Sequence, residues 1–115
     1  MASQQKSVDF ILGQINLPNQ VTFKKMFGEY GLYFGNKLFG SVNDDKLFIK
    51  PTIAGRAFIK NVVEASPYEG AKPNFLIEEE LDDHVWLRQL VILTANELPE
   101  PKPKIKKEKN DKTAR

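Results

Sequence analysis

The sequence predicts an α+β domain of order α-β(4)-α-β-α, an antiparallel sheet with helices packed on it, followed by a disordered basic C-terminal tail. Three observations carry this. Apolar residues recur at helical spacing near both ends of residues 1–98. Between Val21 and Lys50 short apolar runs alternate with tight turn signals. After Leu98 the composition changes to Pro and Lys.

The first helix is read from Val8, Ile11, Leu12 and Ile15, which follow the i, i+3, i+4, i+7 pattern of one buried stripe. Burying each aliphatic contributes about 1.5–3 kcal/mol before entropy is counted. Ser3 is the expected N-cap, and Leu17-Pro18-Asn19 the stop. Val21 to Met26 reads as a strand, with Val21 and Phe23 on one face and Thr22 and Lys24 on the other. Gly28 and Gly31 are expected to bracket a bend before a second strand, Leu32-Tyr33-Phe34. Gly35-Asn36 is a two-residue hairpin signal, since both residues tolerate positive φ. Lys37 to Val42 is the third strand, Asn43-Asp44-Asp45 the next turn, and Lys46 to Lys50 the fourth strand.

Pro51 closes this meander. Thr52 caps a short helix through Ile53, Ala57 and Phe58, reaching toward Val62 and weakened by Gly55. Ser66 to Pro73 is a loop by composition. Asn74 to Glu80 reads as a fifth strand. Asp82 or Asp83 then caps a last helix striped by Trp86, Leu87, Leu90 and Val91, then Leu93 or Thr94, and Leu98-Pro99 ends it.

A chain of 115 residues with 41% hydrophobic content, eight Phe, three Tyr and one Trp suffices for one domain and one core. The absence of cysteine excludes disulfides, thiol nucleophiles and Cys-ligated metals, and fits a reducing cytosol. No apolar run approaches the ~18 residues of a membrane span, and the N-terminus lacks a signal-type segment. The expectation is a soluble, cytoplasmic protein with no membrane partner. The formal charge of +2 is unevenly spread. Residues 99–115 hold seven Lys/Arg against three Asp/Glu, while residues 1–98 hold ten against twelve. The domain, residues 1–98, is thus mildly acidic and the tail, 99–115, carries the basic excess.

The run Met26-Phe27-Gly28-Glu29-Tyr30-Gly31-Leu32-Tyr33-Phe34, then Leu38 to Val42 and Lys46 to Lys50, resembles the N-terminal domain of the TfoX/Sxy family. So do Pro51-Thr52, Ala54-Gly55-Arg56, Pro67 to Pro73, and Leu81-Asp82-Asp83 leading into Trp86-Leu87. The resemblance spans roughly residues 6–98. It implies kinship with regulators of natural competence, accessory factors to a cyclic-AMP-responsive transcription activator. Those regulators carry a second, helical domain, for which there is no room after Leu98. The resemblance therefore implies a stand-alone N-terminal domain, working through a protein partner such as the transcription machinery, with no known reaction.

Candidate chemistry is sparse, and no catalytic, cofactor or metal site is expected. Gly28 and Gly31 neither open a helix nor precede Gly-Lys-Ser/Thr, so a phosphate loop gives way to a structural bend. His84, the single histidine, falls on the first turn of the last helix, where Asp82 and Asp83 read as capping acids. Glu78-Glu79-Glu80 with Asp82-Asp83 lacks the glycine and alternating ligands of a calcium loop and reads as a solvated strand end or a docking surface. Tyr30, Tyr33, Phe34, Phe39 and Phe48, with Lys24, Lys37, Lys46 and Lys50 in or beside the same strands, could build a stacking platform for single-stranded nucleic acid; core packing is the competing reading. Lys102, Lys104, Lys106, Lys107, Lys109, Lys112 and Arg115 are candidates for weak, sequence-independent phosphate contacts. An uncovered sheet face would also be open to a homodimer contact.

Overall fold

The computed structural model describes residues 3–100. Its elements are α1 (Gln5–Ile15), β1 (Val21–Met26), β2 (Glu29–Phe34), β3 (Lys37–Asn43), β4 (Lys46–Ile49), α2 (Ile53–Ile59), β5 (Glu64–Ala65), β6 (Asn74–Ile77), a 3-10 helix (Glu79–Asp82) and α3 (His84–Glu97). The six strands form one antiparallel sheet in the order β1-β2-β3-β4-β6-β5. The α+β architecture and the meander stand as expected. The tail, including the seven candidate phosphate-binding residues, lies beyond the described residues apart from Pro99 and Glu100.

The chain builds the meander from three tight turns. Phe27 and Gly28, with φ of 51° and 82°, join the closing pair Met26 and Glu29. At Gly35-Asn36 only Gly35 takes positive φ, 62°, the pattern of a type II′ turn. Asp44 and Asp45, at 53° and 61°, close β3 onto β4. Gly31 therefore lies inside β2, paired with Lys24 and Ser41, and the bend belongs to Phe27-Gly28. Phe39 is the extra residue of a bulge, since the register shifts between Leu32 facing Gly40 and Tyr33 facing Leu38.

Ser3 does not cap α1. The cap position is Gln4, whose N–H reaches Asp45 Oδ1 at 2.8 Å, and the Ser7 hydroxyl donates to the same oxygen at 2.8 Å. The β3–β4 turn thus caps the helix from across the fold, while the Ser3 hydroxyl donates to Glu29. Gln4 and Asp45 are 41 residues apart, so local sequence cannot show this pairing. The helix ends at Ile15 because Asn16 adopts the left-handed conformation, φ 54°, ahead of Pro18.

Thr52 caps α2 as expected, accepting the Gly55 N–H at 2.9 Å. Asp83 caps α3, accepting the Trp86 N–H at 3.1 Å. The fifth predicted strand stops at Ile77, and the acids beyond it turn into the 3-10 helix. The two-residue β5, hidden in a stretch without alternation, pairs with β6.

A single core lies between the helices and one face of the sheet. Val8, Ile11 and Ile15 of α1 and Leu87, Leu90 and Val91 of α3 meet Leu32, Val42, Leu47, Ile49, Phe75 and Ile77. Phe58 and Ile59 of α2 pack against the same cluster. All three helices therefore cover the same side of the sheet.

Candidate interaction face

Strand alternation sends the remaining side chains to the opposite face. From β1 these are Thr22, Lys24 and Met26; from β2, Gly31 and Tyr33; from β3, Leu38 and Ser41; from β4, Lys46 and Phe48; from β6, Leu76. None belongs to the core cluster. Met26, Tyr33 and Leu38 converge above Gly31: a Cβ there would lie 2.9, 3.4 and 3.2 Å from their side-chain carbons. Among the described residues no helix covers this face.

The face is apolar at its centre and basic at its margins. Tyr33, Leu38 and Leu76 are half-buried, and Phe48, flanked by Ser41 and Leu76, is only 5% exposed. The Lys24 ammonium lies 5.7 Å from the Tyr33 ring centroid, a cation–π contact. Lys46 is exposed and Lys50 partly so. At one end a groove of about 270 Å³ is lined by Tyr33, Asn36, Lys37, Leu38, Lys50, Leu98 and Pro99, so the chain leaves the domain beside this face.

This geometry breaks up the predicted stacking platform. Tyr30 and Phe39 are buried in the core and Phe34 packs against it. Lys37 turns to the helix side, where its Nζ donates to the Ala95 carbonyl at 3.0 Å. Only Tyr33 and the nearly enclosed Phe48 share the open face with Lys24, Lys46 and Lys50. Leu38 and Leu76 are the face residues the sequence reading did not single out; their signal was alternation with core positions.

Three acids are engaged at helix starts. Asp45 and Asp83 accept N–H groups at helix starts. Glu97 Oε2 and Oε1 accept the N–H groups of Ile53 and Ala54 at 2.8 and 2.9 Å. The Ala54 bond, then the Ile53 bond, holds the Glu97 carboxyl below its ordinary range, against a small opposing effect of desolvation. Glu97 thereby lines a shallow, open depression together with Pro51, Thr52, Ile53, Arg56 and Ala57. Arg56 stacks 5.2 Å from the Phe75 centroid and binds Glu64 at 2.6 Å, tying α2 to β5. His84 is exposed at the start of α3. Among the described residues, no three His, Cys, Asp or Glu side chains converge to hold a metal.

A helix-backed antiparallel sheet is the build of a small α+β domain. The chain belongs to the TfoX N-terminal domain family, whose model matches residues 14–97. It is 35% identical over 109 residues, 95% of each chain, to a protein of Spirochaeta aurantia described as an uncharacterized 12.7 kDa protein in the trpE 5' region.

Proposed function

We propose that this protein is a non-enzymatic interaction module that docks a protein partner on the open sheet face. The carrying observation is the convergence of Met26, Tyr33 and Leu38 over Gly31 on a face that all three helices leave bare. Lys24, Lys46 and Lys50 around this apolar centre select a partner surface that is apolar in the middle and rimmed by carboxylates. The use of Asp45, Asp83 and Glu97 in capping supports a structural role for those acids. The family supports a regulatory accessory role, with a transcription activator of the cyclic-AMP-responsive type as the first partner to test.

The test titrates that purified activator into the isotope-labelled full chain. Amide shifts are expected at Tyr33, Leu38, Ser41 and Leu76. Leu38→Glu is expected to weaken binding at least about tenfold with the melting temperature unchanged, as for a partly exposed interface position. Shifts confined to the helix side, or full affinity in Leu38→Glu, would overturn the reading.

A further inference from the structure

The free edge of the sheet offers a second surface. β1 pairs only with β2. The two-residue Phe27-Gly28 turn makes Met26 and Glu29 a hydrogen-bonded pair, so Thr22, Lys24 and Met26 direct their backbone groups to β2. Val21, Phe23 and Lys25 direct theirs outward. Two bonds fix this parity: Gly35 N–H donates inward to the Gln20 carbonyl, and Val21 N–H donates outward to the Leu17 carbonyl, both at 2.8 Å. The N–H and C=O of Phe23 and Lys25 find no backbone partner among the described residues.

The two edges of the sheet are unlike. β5 is two residues long, whereas β1 offers six, five of them exposed. Exposed apolar bulk gathers at β1 and its turn: Phe23, Met26 and Phe27 are exposed, Phe27 completely. Phe23 faces the helix side, its ring 5.6 Å from that of Tyr30, and Met26 faces the open side. Lys24 and Lys25 project to opposite faces. Lysines on an edge strand oppose pairing with a second copy, because both copies bring the same charge to the seam. The same two lysines attract a strand that carries carboxylates.

We propose that β1 is a strand-addition site for an extended acidic peptide segment of a partner protein. The outward N–H and C=O groups of Phe23 and Lys25 supply the ladder. Lys24 and Lys25 pair carboxylates on either side of the added strand, and Phe23 and Met26 contact its apolar residues. This site adjoins the open face and shares Lys24 and Met26 with it, but its ladder, the outward backbone groups of Phe23 and Lys25, does not depend on docking there.

The experiment uses the isotope-labelled full chain and a capped peptide of repeated Glu-Glu-Val-Val, which sets carboxylates and apolar residues on both faces of an added strand. At saturation, hydrogen exchange is expected to slow at least about tenfold at the Phe23 and Lys25 amides, with no change at Leu38 or Leu76. The charge-reversed variant Lys24→Glu/Lys25→Glu, altered only at exposed positions, is expected to lose at least about tenfold in affinity at unchanged melting temperature. A Lys-Val peptide that protects the same amides equally overturns the proposal. So does an acidic peptide that leaves Phe23 and Lys25 unprotected, or a peptide-free dimer that protects them. Protection at Leu38 and Leu76 instead would assign the peptide to the open face.

Discussion

The Glu97 carboxylate, on the last turn of α3, accepts the backbone N–H of Ile53 at the start of α2, 44 residues earlier in the chain. With the adjacent Ala54 bond it forms a two-point clasp between the helices. Asp45 makes a similar clasp at the start of α1, accepting the N–H of the cap residue Gln4 and the Ser7 hydroxyl. Each charge sits at a helix start, where N–H groups lack intrahelical partners.

These clasps predict acid sensitivity. The Gln4 N–H, then the Ser7 hydroxyl, with Lys6 nearby, holds the Asp45 carboxyl below its ordinary 3.8. Glu97 is likewise held below 4.5. The folded state binds the ionised forms, so their contribution is complete above those ordinary values and is lost as pH falls through the lower folded ones. Glu97→Gln should lower the urea midpoint at pH 7 and flatten its decline below about pH 4.5. An unchanged profile would show that the clasp opens in solution.

Phe27 should be replaceable with a gain in stability. A non-glycine residue at φ 51° is strained, and its ring is fully exposed. Asn tolerates this conformation at the first centre of a type I′ turn. Phe27→Asn should stabilise the domain by about 1 kcal/mol, the scale of the left-handed penalty. Thermal unfolding checks it, and a lower melting temperature would reveal a packing role for the ring.

The α+β class, the meander and the α1 and α3 stripes were legible because local periodicity carries them. Val8, Ile11 and Ile15 are buried where the stripe put them, as are Leu87, Leu90 and Val91. The failures have separate causes. Ser3 has the residue type of a cap, but Asp45, 41 residues from Gln4, takes the Gln4 N–H and the Ser7 hydroxyl at the helix start. Gly31 looked like a bend, yet Phe27 takes the strained φ that a sequence reader assigns to glycine. The open face was legible only as alternation. Which alternating set faces the helices depends on where the chain returns through α2, and no short-range pattern encodes that.

Binding to duplex DNA, where it occurs, should reside in the basic tail. Residues 1–98 hold more acids than bases, whereas 99–115 carry a net +4. Seven cations at full phosphate contact give a log–log salt slope no steeper than about −6. Replacing Lys102, Lys104, Lys106, Lys107, Lys109 and Lys112 with Gln in the full chain should abolish salt-sensitive gel shifts. Retained, sequence-preferring binding would move the site to the sheet, onto Lys24, Lys46 and Lys50.

Two strand glycines should respond in opposite ways to the same substitution. Gly31, on the open face, takes no positive φ, and the nearest obstacle to a Cβ is the terminal Met26 Cε at 2.9 Å. That methyl ends a flexible, 37% exposed side chain and can swing aside. Gly31→Ala should therefore be neutral, or stabilising by up to about 1 kcal/mol, through a smaller entropy loss on folding. Gly40 sits beside the Phe39 bulge, and its Cβ would run into the Phe48 carbonyl oxygen. A backbone atom in a six-stranded sheet cannot swing aside without breaking the β3–β4 ladder. Gly40→Ala should cost about 1–3 kcal/mol, the range for overpacked sites. Urea unfolding of both variants reads the contrast. Equal losses would mean that the side chains over Gly31 are as rigid as the ladder, and that the open face is a packed layer.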